Sequence, residues 1–133
     1  MKRFLILFLC NTWGIIMTLI GYITRFVLLC KGVKGEKTKI GRVYYVGQNW
    51  GGICLGTTIL ISSDDRSKST LEHEMGHTVQ NAMFGVLFPF LIGLPSLIWC
   101  HCFENYRRQN NIGYYDIWFE GQASRFGKNL HKD

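Results

Sequence analysis

The sequence predicts an α+β fold: a small antiparallel sheet or hairpin, then a pair of helices, with an apolar helix or helical hairpin at the N-terminus. Three observations predict it. Residues 43–46 and 53–62 are rich in β-branched and aromatic side chains and are separated by Gly47, Gly51 and Gly52, the pattern of short strands. Ser69-Thr70-Leu71-Glu72 then has capping-box spacing, which starts a helix. Ahead of both lie twenty-one residues without a formal charge, 4–24.

Taken in order, the first element is that apolar run, led by Lys2 and Arg3 and continuing beyond Arg25 to Cys30. At about 1.5 Å per residue, a helix of this length can cross a hydrocarbon core of about 30 Å. A helical hairpin broken near residues 11–14 or at Gly21, and buried against the rest of the chain, fits the same residues. A cleaved signal peptide fits less well, because no small-residue A-x-A site precedes the charged segment. The division that follows is residues 1–30 as an apolar, membrane-associated helical segment and residues 31–133 as the domain that carries the chemistry.

Residues 31–42 form a basic, glycine-containing connector, and the two strands follow. Asp64-Asp65-Arg66-Ser67 is a polar turn that ends them, and the capped helix runs to about Phe84. From 78 to 100, twenty-three residues carry no formal charge, but Gly85, Pro89, Gly93 and Pro95 interrupt them. That predicts a bent or re-entrant path packed on protein rather than a straight span. A short helix over 96–103, a polar loop over 104–113 and a final helix over 114–126, closed by Gly127, complete the chain.

The bulk composition narrows the function. The net charge is +6, with lysine and arginine gathered in residues 25–42 and again from Arg107 onward. Basic flanks beside apolar runs face lipid headgroups, and no nucleic-acid motif is present, so a membrane and not a nucleic acid is the expected partner. The five cysteines are odd in number and lack framework spacing, which excludes a disulfide scaffold and suits a reducing compartment. Cys10, Cys30 and Cys100 lie in apolar runs, where cysteine packs as a small hydrophobe.

The chemistry lies in His73-Glu74-Met75-Gly76-His77, an H-E-x-x-H motif on a predicted helix. Histidines four apart share one helix face, so both imidazoles can reach one metal ion. Glu74 then stands beside the site, placed to take a proton from the attacking water and to deliver it to a leaving amine. Zinc suits this donor set, held by three protein ligands with a fourth position left open. The bland reading makes the two histidines ordinary helix-surface residues.

A third ligand is needed, and Glu120, forty-three residues after His77 on the last predicted helix, is the favoured donor. Asp116, Glu104 and the Cys100-His101-Cys102 cluster compete with it. His131, in the tail, is expected to be exposed. Tyr114, Tyr115 or His101 can serve as the donor to a developing oxyanion, although both tyrosines also read as packing aromatics.

His73–His77 with Thr78-Val79-Gln80, Phe84-Gly85, Gly93-Leu94-Pro95-Ser96 and the stretch 114–124 resembles the small bacterial gluzincin-like zinc metallopeptidase domains, some of which close Rhs-type repeat proteins. Residues 52–56 and the Trp13…Leu19-Ile20-Gly21 segment are similar to theirs too. The resemblance implies a zincin-type helix pair, Zn2+ held by His73, His77 and Glu120, Glu74 as base, and a peptide or protein substrate. The family's Asp in the last helix falls on Ser124, which implies a weaker orienting contact to one zinc histidine. The heavier basic flank on the C-terminal side of the first apolar run places the catalytic part on the cytoplasmic face, at a bacterial inner membrane. His-Glu-x-Gly-His is also similar to the motif of site-2-type intramembrane proteases, but no Asp-Gly pair is present to supply their third ligand. A small non-enzymatic membrane protein with a degenerate metal site is the remaining alternative.

Overall fold

The computed structural model describes the chain over residues 2–132 and the side chains through Leu130, so the His131 side chain lies outside the described residues. The fold is α+β. Helices α1 (Arg3–Asn11) and α2 (Ile15–Cys30) precede strands β1 (Glu36–Thr38), β2 (Gly41–Tyr45), β3 (Gly52–Leu55) and β4 (Thr58–Ile61). Helix α3 (Lys68–Phe84) follows, then α4 (Leu94–Cys102), α5 (Glu104–Gln109) and α6 (Trp118–Lys132).

The run 53–62 is two strands, not one. Gly56 takes φ +68°, a left-handed turn that folds the run into a hairpin of β3 and β4. The sheet order is β1-β2-β4-β3, so β4 inserts between β2 and the outer strand β3. Its pairing with β2 is therefore parallel, Val43 beside Ile59, which makes the sheet mixed rather than purely antiparallel. β3 pairs antiparallel with β4 on one side and forms the edge on the other.

The apolar N-terminal run breaks at residues 12–14 into two helices bent by 88°. No single helix among the described residues is long and apolar enough to cross a membrane. The hairpin shares the core: Ile6 and Cys10 of α1 pack with Val43, Ile59 and Ile61 of the sheet and with Met75, Val79 and Ala82 of α3. A second cluster joins Phe88, Ile92 and Phe119, with Met17 of α2 against it. The interrupted stretch after α3 turns sharply, the path through residues 68–102 bending by 117° via a 3-10 turn (Gly85–Leu87) and a π-helix (Pro89–Gly93).

The helices depart from the sequence reading at several points. Ser67 caps α3, its hydroxyl accepting from the Thr70 backbone N–H at 3.4 Å, two residues before the predicted Ser69. Residues 104–109 are helical rather than loop. The last helix begins at Trp118, after a 3-10 turn at Tyr114–Asp116, and runs through Gly127 to Lys132. Gly127 is a packing residue: a Cβ there would lie 1.7 Å from the Glu72 carbonyl oxygen of α3. Gly76, inside the motif, has the same role, since its Cβ would meet the Ala123 carbonyl oxygen at 1.7 Å. The two glycines let α3 and α6 cross at backbone contact, and that crossing builds the site.

Candidate metal centre

His73 and His77 point from one face of α3 at Glu120 on the facing turn of α6. The Glu120 Oε2 lies 2.9 Å from His73 Nε2 and 3.3 Å from His77 Nε2, and the two Nε2 atoms are 3.2 Å apart. All three residues are buried, Glu120 completely. Among the described residues this is the one group of histidine, cysteine and acidic side chains that can hold a metal ion. Donors held about 2.0–2.2 Å from a tetrahedral ion stand about 3.3–3.6 Å apart, so the triangle is a few tenths of an ångström tighter than an occupied site.

The protonation of His77 follows from its neighbours. The Gln80 amide nitrogen donates to the Phe119 carbonyl at 2.8 Å and to Gln122 Oε1 at 2.9 Å. Its oxygen therefore faces His77 Nδ1, at 2.7 Å, and can only accept. His77 therefore holds a proton on Nδ1, and in its neutral form the Nε2 lone pair is aimed at the centre. Ser124 Oγ stands 2.8 Å from His73 Nδ1, and its hydroxyl can accept from that nitrogen or donate to it. Ser96 Oγ donates to Glu120 Oε1 and stands 3.3 Å from the Tyr114 hydroxyl. Oε2, buried, faces the two Nε2 atoms, so it is paired only when one of them carries a proton.

The charges agree with that picture. Burial alone would raise the Glu120 carboxyl, but hydrogen bonds to His73 and His77 hold it well below the usual carboxylate range. Burial alone would lower His77, yet its hydrogen bond to Glu120 and the charges of Glu74 and Glu120 carry it above the usual imidazole range. Without a metal, a proton shared with Glu120 satisfies part of the triangle. One proton bridges only two of three acceptors, whereas one cation satisfies all three.

Glu74 is buried beside the triangle, over the edge strand. Its Oε1 would lie 2.9 Å from a Cβ at Gly52 of β3, so any larger residue there would push the carboxylate aside. Burial pushes its carboxyl up, against the pull of His77 and His73. Tyr115 sets its ring edge-on to His73 with centroids 4.8 Å apart, and Tyr114 stands at 6.4 Å. Tyr115 is half exposed, while burial pushes the Tyr114 hydroxyl up.

The other candidates stand elsewhere. His101 and Cys102 are exposed on α4, Cys100 is half-buried, and none of them joins the metal-binding group. Asp116 Oδ2 accepts from the Gly113 N–H at 2.6 Å, and Glu104 pairs with Arg108 at 3.0 Å. Sequence reasoning gave no role to Gln80 or Ser96. Gln80 was findable, because a residue three positions after His77 shares its helix face. Ser96 was not, since its contact depends on the bent path between α3 and α4.

No protein-family profile matches the chain, and no curated protein or solved structure is significantly similar to it.

Proposed function

We propose that this protein is a zinc-dependent metallopeptidase of gluzincin-like type, working at a membrane surface on a peptide or protein substrate. The observation that carries it is the convergence of three buried acceptor atoms, on His73, His77 and Glu120, with a fourth buried group, Glu74, beside them. Two neutral imidazoles and a carboxylate are a donor set of catalytic zinc sites, and the carboxylate balances part of the ion's charge. Zinc, when bound, supplies Lewis-acid polarisation of the scissile carbonyl and acidifies water.

The chain's own residues do the rest. Glu74 takes the proton of the attacking water and returns it to the leaving amine, and its buried, upward-shifted carboxyl suits that exchange. The free edge of β3 pairs with an extended peptide and lays it across Gly52, against Glu74. Tyr115, half exposed beside His73, is the better placed of the sequence candidates to donate to the developing oxyanion. The exposed apolar side chains of α1 and α2 support the membrane location, and the heavier basic flank that follows them argues for the catalytic part on the cytoplasmic side.

Elemental analysis of gently purified protein is expected to give about one zinc per chain, lost in His73→Ala or His77→Ala. Glu74→Gln is expected to keep the zinc while peptide cleavage falls by about 10²–10⁴-fold or more. Absence of zinc from the wild type overturns the metal assignment; cleavage retained in Glu74→Gln overturns the base.

A further inference from the structure

Away from the metal centre, a cleft of about 300 Å³ opens between the N-terminal hairpin and strands β1 and β2. Four cations line it: Arg3 from α1, Arg25 from α2, Lys37 from β1 and Arg42 from β2. No carboxylate does. Among the described residues none of the four is in an ion pair, and Glu36, the acid next to Lys37, is taken by Arg66 at 3.1 Å. Four like charges gathered around one cleft repel each other unless an anion joins them.

One donor of the cleft is fixed in place. Arg25 donates from Nε to Thr58 Oγ1 at 2.7 Å and from Nη2 to the Thr57 carbonyl at 2.6 Å, so its guanidinium is anchored while Nη1 takes no part in those bonds. Thr38 Oγ1 is buried at the cleft wall with no partner. Arginine forks with a hydroxyl beside them match a phosphate group, which offers several acceptor oxygens at once.

We propose that this cleft binds a phosphate group, presented by the headgroup of an anionic phospholipid. The lipid source is argued from the flanks. Phe4 is 79% exposed, Phe26 66% and Leu29 71%, on the same two helices and within one helical turn of Arg3 and Arg25. Exposed apolar side chains on the two helices that also supply cations to the cleft are what a bilayer surface would meet beside the headgroup. The site stands independently of the metal centre.

The test uses the full chain and two vesicle preparations, phosphatidylcholine with and without phosphatidylglycerol, and separately titrates inorganic phosphate. Lys37→Gln/Arg42→Gln alters two exposed side chains; Arg125→Gln/Lys128→Gln makes the same charge change on α6. The cleft pair is expected to weaken binding to phosphatidylglycerol vesicles by roughly fivefold per charge, about 25-fold in all, and the α6 pair far less. Equal losses in the two variants, or no preference for phosphatidylglycerol in the wild type together with no phosphate binding, overturn the cleft. Inorganic phosphate bound by the wild type and lost in the cleft variant, with no vesicle preference, overturns the lipid source and assigns the cleft to a soluble phosphate ester. Thermal melts of both variants at the wild-type temperature separate loss of binding from loss of fold.

Discussion

Helices α3 and α2 invert the usual relation between polarity and burial. α3 is polar and buried: Glu72, His73, Glu74, His77, Thr78, Gln80 and Asn81 all lie inside. α2 is apolar and open, with Ile23, Phe26 and Leu29 more than half exposed. Each buried polar group on α3 costs about 1–3 kcal/mol if left unpaired, so the helix is tolerable only because neighbours complete it. Thr78 Oγ1 donates to the Gly56 carbonyl at 2.9 Å, and the Asn81 amide to the Gly14 carbonyl at 3.2 Å. The lesson is that α3 keeps its polar side chains inside by pairing them, while α2 leaves its apolar ones open.

The hardest blow to the buried side of this comparison is Glu120→Ala. It removes one corner of the triangle and is expected to abolish both tight zinc binding and hydrolysis. Asp116→Ala and Glu104→Ala, outside the group, are expected to bind zinc as the wild type does. If Glu120→Ala still binds while Cys102→Ala or His101→Ala does not, the metal sits on α4 and the comparison fails. Gly76→Ala comes next: the added methyl meets the Ala123 carbonyl, so α6 must move, at a cost of about 3 kcal/mol, the upper end of the usual overpacking range, in a urea melt. A variant as stable as wild type would mean the two helices are not in contact there.

Ser124→Asp sharpens the comparison instead of breaking it. Ser124 already reaches His73 Nδ1, and a carboxylate there adds charge to the same contact. Zinc affinity or rate is expected to rise, within the roughly 10–100-fold that such neighbours of a ligand control. Competition against a calibrated chelator reads the affinity directly.

The sequence carried the parts of this molecule that depend on short spacing. His73, Glu74 and His77 share a helix face by their intervals alone, and α3 ends where its apolar and glycine signals end it. The hairpin at Gly56 was missed because an unbroken run of β-branched residues hides a turn that needs only one glycine. Parallel pairing of β2 with β4 was beyond reach, since it depends on which strand takes the middle of the sheet. Gly127 reads as a helix end in sequence because the usual reason for glycine there is a positive φ; here the reason is a carbonyl on another helix. The partners of His77 and Glu120 divide the same way: Gln80 is local, Ser96 is brought by the bend after Gly85.

The smallest expected effect asks whether the open helices and the buried ones are one body. Cys10 on α1 is buried with its Sγ 3.4 Å from the Thr78 carbonyl of α3, and Cys54 on β3 stands 3.3 Å from the Thr78 hydroxyl. Cys30 and Cys102 are exposed. Burial pushes the Cys10 thiol up to about 11, with a hydrogen bond from Asn81 pulling weakly against it, and it shifts Cys54 in the same direction. The thiolate is the reactive species, so at pH 8 a thiol with a pKa near 11 is ionised only about one part in 10³. Iodoacetamide labelling followed by mass spectrometry is expected to mark Cys30 and Cys102 quickly, Cys100 more slowly, and Cys10 and Cys54 only on unfolding. Cys10 and Cys54 share the same α3 residue, so they should be protected together if α1 is part of the core. Labelling of Cys10 at the rate of Cys30, with Cys54 still protected, would show that α1 lifts off α3 in water. Residues 1–30 would then be a separable segment, and the contrast between α2 and α3 would belong to two bodies rather than to one.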